Sequence, residues 1–488
     1  MFRRKVYQDL LEWKRIDNGS TALLLEGARR IGKTTVVEEF ARNEYRSYIL
    51  VDFSKDDDPC KDLFSKSYTN LDDLFKRLQL NSGKMLYPQE SAIIFDEVQL
   101  QPRARQMIKS LLEDGRYHYI ETGSLITLKK IVRNIRLPSG EHKIQMYPMD
   151  FEEWLWANGI DQSETLRELA AAREPLGPQA HAVMSERFRT YLMVGGMPQA
   201  VEEFLNTNNF MSAERRKREI LDLYRDDIDK MSGAQAMKIK TIFESIPTLL
   251  SSHSSTFSPG KVMPGSRSRA FTEAIAWLIE ARYVNPCYLC SEPSTIPGLT
   301  ADRSKVKLYL LDTGLLFTLA FGKNTPGLEH TFRDILDGKM SVNGGMFFEN
   351  YVAQQLATAS RDLFFHEFKV GKKRFEIDFL LSSARGIIPV EVKSSSSVRH
   401  KSLDEFRAVY GKRIGDCIVI HKKDTLYIDG VTFLPAYLVP FALVRTEREE
   451  ALETFRLARE AALKRCPNGM TLDEINELID SARKGKNN

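Results

Sequence analysis

Long apolar runs are missing from this sequence. Nowhere in its 488 residues is there a run of the ~18 consecutive apolar residues that a membrane-spanning helix requires, so no membrane segment is expected. The opening Met-Phe-Arg-Arg-Lys-Val-Tyr is basic, but no apolar run follows it, so a secretory signal is not expected either. Cysteine is scarce: the five present are scattered and odd in number. That argues against a disulfide framework and for a reducing, cytoplasmic setting. An excess of one charge is also missing. The 70 Lys and Arg against 66 Asp and Glu leave a net charge of +4, so any nucleic-acid surface has to be a local patch. Internal repeats are not found. What remains is an ordinary globular composition in a chain too long for one core, which predicts roughly two to four domains.

The most informative stretch is Gly27-Ala-Arg-Arg-Ile-Gly-Lys-Thr34. It fits G-x-x-x-x-G-K-[ST], with a short apolar strand before it (Thr21-Ala-Leu-Leu-Leu-Glu26) and an amphipathic helix start after it. Glycines let backbone N–H groups turn inward around phosphates, and the helix N-terminus adds partial positive charge. Gly27, Ala28, Arg29, Arg30, Ile31, Gly32, Lys33, Thr34 and Thr35 are therefore the candidate ATP-binding residues. Lys33 would reach the β- and γ-phosphates and Thr34 would bind Mg²⁺. About sixty residues on, Ser91-Ala-Ile-Ile-Phe-Asp96-Glu97 is an apolar strand ending in two carboxylates. Asp96 suits the Mg²⁺ shell and Glu97 suits polarisation of the attacking water. A further strand, Tyr117-His-Tyr-Ile-Glu-Thr122-Gly-Ser124, offers Thr122 and Ser124 as γ-phosphate sensors; a plain strand exit is the alternative. Arg133 and Arg136 are either trans-acting fingers in a ring or solvated arginines. The alternation of strands and helices implies a parallel sheet wrapped by helices.

Two helices at 236–250 and 268–282, then short strands at 283–290 and 305–311, have the layout of a winged helix. Lys261, Arg267 and Arg269 lie where DNA phosphates would sit. A winged helix used only to pack domains together is the alternative. Cys287-x-x-Cys290 lies in this hairpin without a second ligand pair nearby, so zinc is not expected.

A second constellation follows. Glu349 stands on an amphipathic helix, Asp378 on a strand read over 374–381, and Glu391-Val-Lys393 at the end of another strand. Helix acid, strand acid and Glu-x-Lys in that order form the core of PD-(D/E)XK nucleases. Residues 391 and 393 alternate onto one strand face. Glu349, Asp378 and Glu391 would hold a metal, and Lys393 would reach the water it activates. A surface lysine and a strand-end cap are the bland alternative. The loop 394–401 is polar and basic, suited to a phosphate backbone or simply to solvent. In the tail, helices are expected over 447–464 and from about 471, where Thr471 and Glu474 suit a capping box.

Several stretches together resemble a large prokaryotic family of ATP-binding proteins with an AAA-type ATPase domain (AAA_14) and a C-terminal domain of unknown function (DUF4143). They are Gly-Ala-Arg-Arg-Ile-Gly-Lys-Thr-Thr at 27–35, Phe-Asp-Glu-Val-Gln at 95–99 and Glu-Thr-Gly-Ser-Leu at 121–125, followed by 146–154, Tyr-Leu-Met-Val-Gly-Gly-Met-Pro at 191–198 and 307–316. The resemblance spans about residues 1–440. Where the family has Gly-Arg soon after its Thr-Gly-Ser strand, this chain has Ile135-Arg-Leu-Pro-Ser-Gly140, so no finger is assigned. The resemblance implies a helical lid after the core, with Arg225 as a nucleotide sensor or a lid–core ion pair.

The fold expected is α/β: an AAA-type P-loop ATPase core (1–155), a helical lid (156–232), a winged-helix segment (233–325), a PD-(D/E)XK nuclease-like α/β domain (326–440) and a charged helical tail (441–488). The function expected is a Mg²⁺-dependent ATPase that couples nucleotide state to DNA binding, with or without DNA cleavage. The alternative is a nucleotide switch that binds a protein partner or another copy of itself through a silent C-terminal domain.

Overall fold

The computed structural model describes residues 1–65, 70–123, 140–252, 256–257, 260, 271–294, 296–322, 327–339, 344–359, 362–383, 386–394 and 400–444. Contacts divide the chain into Met1–Ala442 and Leu443–Asn488, and every described strand belongs to the first unit. Ser124, Arg133, Arg136, Lys261, Arg267, Arg269, most of the 394–401 loop and the expected tail helices lie outside the described residues.

Strands β1 (Ala22–Glu26), β2 (Ser47–Asp52), β3 (Ser91–Asp96), β4 (His118–Gly123) and β5 (Glu141–Gln145) form a parallel sheet in the order β2-β3-β4-β1-β5. Every residue of β1, β3 and β4 is buried. β1 and β3 read as nearly continuous apolar runs because helices cover both faces of the sheet, whereas β4 buries His118, Glu121 and Thr122 as well. Phe53, Phe64, Phe95 and Tyr119 stack within the core on one side. β1 lies inside the sheet, so the loop leaving its C-terminal end opens at the edge where ligands of such sheets bind.

After β5 the chain enters the helix Phe151–Ala157, closed by a capping box between Asp150 and Glu153 that satisfies two otherwise orphan N–H groups. The helices Ser163–Ala172, Pro178–Val194, Pro198–Thr207 and Phe210–Asp229 follow. On the last, Ile220, Leu221, Tyr224 and Ile228 are buried, as their helical spacing predicts. Arg225 pairs with Asp222 at 2.8 Å and with Glu244 at 2.7 Å. The turn at Gly195 and Gly196 admits no side chain: a Cβ on Gly196 would lie 1.9 Å from the Met149 carbonyl oxygen.

The helices Gly233–Ser251 and Thr272–Glu280 precede an antiparallel hairpin of β6 (Val284–Cys290) and β7 (Ala301–Leu310). This hairpin is not free-standing. β6 also pairs in parallel with β8 (Leu363–Val370), which pairs with β9 (Lys373–Ile377).

The single strand expected over 374–381 is broken at Asp378. β9 ends at Ile377, and β10 (Phe379–Ser383) joins a different sheet with β11 (Gly386–Val392), β12 (Cys417–His421), β13 (Leu426–Ile428) and β14 (Val431–Pro435). At the break the Asp378 carboxylate accepts the Val392 N–H, 14 residues on, at 2.7 Å.

The helix Gly344–Ala357 carries three buried amides. Asn350 bonds the Leu310 N–H (2.7 Å) and carbonyl (3.2 Å), Gln354 accepts from the Thr313 N–H (2.8 Å), and Gln355 accepts from the Phe151 N–H (3.0 Å). Buried amides persist where they are hydrogen-bonded. These three tie the helix to β7, to the helix Thr313–Phe321 that follows it, and to the first helix after the parallel sheet.

Candidate functional site

The loop between β1 and the helix Lys33–Glu44 is shaped by close approach and handedness. A Cβ on Gly27 would lie 2.6 Å from the Met146 carbonyl oxygen, and Gly32 has φ +93°, a conformation that glycine adopts at little cost. Arg30 is also left-handed, at φ 67°. Lys33 is buried, and its Nζ donates to the carbonyls of Gly27 (3.0 Å) and Ala28 (2.9 Å). Burial lowers its pKa, against the opposing pull of Glu97 and Asp96. Thr35 is exposed at the helix start.

β3 brings its two carboxylates to this loop. The Thr34 hydroxyl lies 2.9 Å from both oxygens of Asp96, and the Thr122 hydroxyl donates to Asp96 as well. Burial raises the Asp96 pKa, partly offset by these hydroxyls. Glu97 leaves the strand with φ 53°. Its N–H donates to the Thr122 hydroxyl at 3.3 Å, and its carboxylate accepts from the Gln99 side chain. Lys33, Thr34, Asp96, Glu97 and Thr122 are thus brought together. A hydroxyl and a carboxylate within one hydrogen bond of each other are a donor set that fits Mg²⁺, which takes one or two protein oxygens and completes its shell with phosphates and water.

The residues around this site carry little sequence signal. Gln99, buried, orients Glu97. Arg4 donates to the Ile31 carbonyl at 3.0 Å, Tyr224 donates to the Arg29 carbonyl at 3.0 Å, and Asp227 pairs with Arg29 at 2.9 Å. Only the strong patterning of the helix carrying Tyr224 and Asp227 marked it in the sequence.

The second constellation is arranged differently from expectation. Glu349, Asp378 and Glu391 are not gathered as a ligand set: among the described residues no three His, Cys, Asp or Glu side chains are grouped to hold a metal ion. Each has a partner within the cluster, and all three carboxylates act on Lys393. Glu391 pairs with Lys393 at 2.5 Å, Asp378 takes the Val392 N–H, and Glu349 accepts from the Tyr309 hydroxyl at 3.2 Å. A cation that sequence reading did not anticipate, Lys307 of β7, enters from the hairpin. Its Nζ lies 2.5 Å from Glu376 and it is fully buried. Burial would lower its pKa, but Glu376, Glu349 and Asp378 outweigh that and raise it. Burial, reinforced by Glu349, holds Asp378 well above the usual carboxylate range despite Lys307. Burial pulls the Lys393 ammonium down, and Glu391, Asp378 and Glu349 more than compensate. Cys287 and Cys290 are free, buried thiols, and among the described residues no group of three His, Cys, Asp or Glu that could hold a metal includes them.

With this geometry in view, residues 19–155 match the family model described as an AAA domain (AAA_14), and residues 344–439 match the domain of unknown function DUF4143. The chain joins an AAA domain to a DUF4143 domain. Between them, residues 185–325 match a second domain of unknown function, DUF8612. The Walker-type ATPase PABY2304 of Pyrococcus abyssi is 15% identical, with 65% of this chain and 96% of that chain covered and a TM-score of 0.40. The STAND protein PH0952 of Pyrococcus horikoshii, with a tetratricopeptide repeat sensor, is 12% identical over 72% of this chain and 48% of its own, with a TM-score of 0.24. No curated protein matches the chain. The AAA domain contains the whole Lys33–Asp96–Glu97–Thr122 cluster, whereas Glu349, Glu376, Asp378, Glu391 and Lys393 fall in the DUF4143 domain and Lys307 in the DUF8612 match. Among the described residues, no helix is long and apolar enough to cross a membrane.

Proposed function

We propose that the AAA domain binds and hydrolyses ATP with Mg²⁺, and that the DUF4143 domain is a binding platform that responds to the nucleotide rather than a nuclease. The observation that carries the ATPase reading is the chain of contacts from Thr34 through Asp96 to Thr122, with Lys33 inside the loop. Lys33 would exchange its two loop carbonyls for the β- and γ-phosphates. Mg²⁺ held at Thr34 and Asp96 would neutralise charge developing on those phosphates. Glu97, oriented by Gln99, would align the attacking water and take its proton. Thr122 would hold Asp96 and Glu97 in register, and Ser124 would sense the γ-phosphate.

The platform reading is supported by Lys307. A cation already lies among Glu376, Glu349 and Asp378, and Glu391 is spent on Lys393. The merged hairpin supports it too, since pairing of β6 with β8 suits a winged-helix segment that packs domains together. Action on DNA keeps one support: two helices ahead of a hairpin, approached in sequence by Lys261, Arg267 and Arg269. The occupants of the platform would be a protein partner or a second copy of the chain.

The test is ATP turnover by wild type, Lys33→Ala and Glu97→Gln, run beside cleavage of linear, single-stranded and branched DNA with Mg²⁺ or Mn²⁺. Turnover abolished by Lys33→Ala, with every DNA intact, is the expected result. Cleavage lost in Asp378→Ala or Lys393→Ala would overturn the platform reading, and turnover unchanged in Lys33→Ala would overturn the ATP site.

A further inference from the structure

Two side chains from outside the AAA sheet each grip one carbonyl of the phosphate loop. Arg4, buried ahead of the first helix Val6–Asp17, donates through Nη1 to the Ile31 carbonyl at 3.0 Å. Its Nη2 donates to the Tyr147 carbonyl at 2.6 Å, and its Nε lies 3.2 Å from Glu153. Tyr224 donates to the Arg29 carbonyl at 3.0 Å. Its ring stacks on Tyr283 with centroids 3.9 Å apart. The Tyr283 hydroxyl donates to Asp227 at 2.9 Å, and Asp227 pairs in turn with Arg29. The Tyr224 hydroxyl is thus held from both sides, by its own helix and by the segment leading into β6.

A trans peptide unit fixes the consequence. Its C=O and the following N–H point in opposite directions. Holding the Ile31 carbonyl toward Arg4 turns the Gly32 N–H the other way, and holding the Arg29 carbonyl toward Tyr224 does the same for the Arg30 N–H. These two residues are the ones with left-handed backbone in the loop, the conformation that gathers N–H groups into an anion-binding concavity. Arg30, which is not glycine, adopts it against its own preference, so an outside restraint is needed at that position.

We infer that Arg4 and Tyr224 are positioning residues of the ATP site: they hold two loop carbonyls outward and so keep the Arg30 and Gly32 amides aimed at the phosphates. Both act on the loop through its carbonyls. Tyr224 makes the loop's readiness depend on the helix Phe210–Asp229, outside the AAA domain. The inference rests on the ATP-site reading above.

The experiment compares ATP, ADP and adenosine binding to the full chain for wild type, Tyr224→Phe, Arg4→Lys and Lys33→Ala. Tyr224→Phe removes one hydroxyl and keeps the ring stack; Arg4→Lys keeps a cation beside Glu153. Each is expected to weaken ATP and ADP about tenfold, the scale of one lost hydrogen bond, and to leave adenosine affinity unchanged. A purely structural role would not distinguish ligands by their phosphates. Binding lost in Lys33→Ala but unaltered in both positioning variants overturns this inference alone, as does an equal loss for adenosine. Wild-type protein that binds neither ATP nor ADP overturns the ATP site and this inference together.

Discussion

The ammonium of Lys307 lies 2.5 Å from the Glu376 carboxylate, and its whole side chain is closed to solvent. Glu376 keeps 31% of its side-chain exposure, but Lys307 also balances Glu349 and Asp378, and removing the cation leaves these carboxylates without the charge that compensates them. Lys307→Met should therefore destabilise the chain by about 3 kcal/mol, read from urea unfolding. A loss below about 1 kcal/mol would show that the carboxylates do not depend on this cation.

Catalysis and binding should separate at Glu97. Glu97→Gln keeps the shape and the hydrogen bond with Gln99 but cannot take a proton, so turnover should fall about 10²-fold with ATP affinity nearly unchanged. Gln99→Leu frees the Glu97 carboxylate and should give a smaller fall in the same direction. Steady-state turnover beside nucleotide titration checks both, and an affinity loss as large as the rate loss in Glu97→Gln would assign Glu97 to binding.

Glu121 makes stability depend on pH. It is fully buried beside Thr122, neither of its oxygens has a hydrogen-bond partner among the described residues, and burial with the nearby Glu141 pushes its pKa up to about 8. The folded pKa exceeds the unfolded one, so its contribution is complete below about 4.5 and is lost as pH rises toward 8. Glu121→Gln should gain on wild type across that window, by on the order of 1–3 kcal/mol at pH 8. Equal pH slopes for the two proteins in denaturant unfolding would refute it.

Gln355 should couple the helix Gly344–Ala357 to the helix Phe151–Ala157. Its carbonyl accepts the Phe151 N–H at 3.0 Å, and Gln355→Leu would leave that buried donor unpaired, at a cost of about 1–3 kcal/mol. Amide exchange should quicken in the helix Phe151–Ala157 as well as in the helix Gly344–Ala357. Faster exchange in the second alone would place the bond's weight on one side.

What the sequence made legible divides by range. The phosphate loop could be read because Gly27 and Gly32 meet backbone constraints that only a fixed spacing satisfies. The parallel sheet could be read because strands buried on both faces leave apolar runs such as 92–95. Asp378 was placed at the right point in the chain, but not the break there, because alternation continues unchanged across it. Lys307 was one basic residue in a strand: nothing local records that it meets Glu376, 69 residues away. Arg4 and Tyr224 act on carbonyls, which every residue possesses, so the loop's side of those contacts leaves no mark in the sequence.

The parallel pairing of β6 with β8 also bears on how this chain can be taken apart. A fragment cut just before residue 344 would leave β8 with a bare row of N–H and C=O groups, and a bare strand edge invites pairing with other chains. Cys290 of β6 would be missing from the core it shares with Phe364, Phe368 and Ile377. Recombinant pieces meant to isolate the C-terminal part should therefore begin upstream of residue 284, so that the hairpin and the DUF4143 domain stay together.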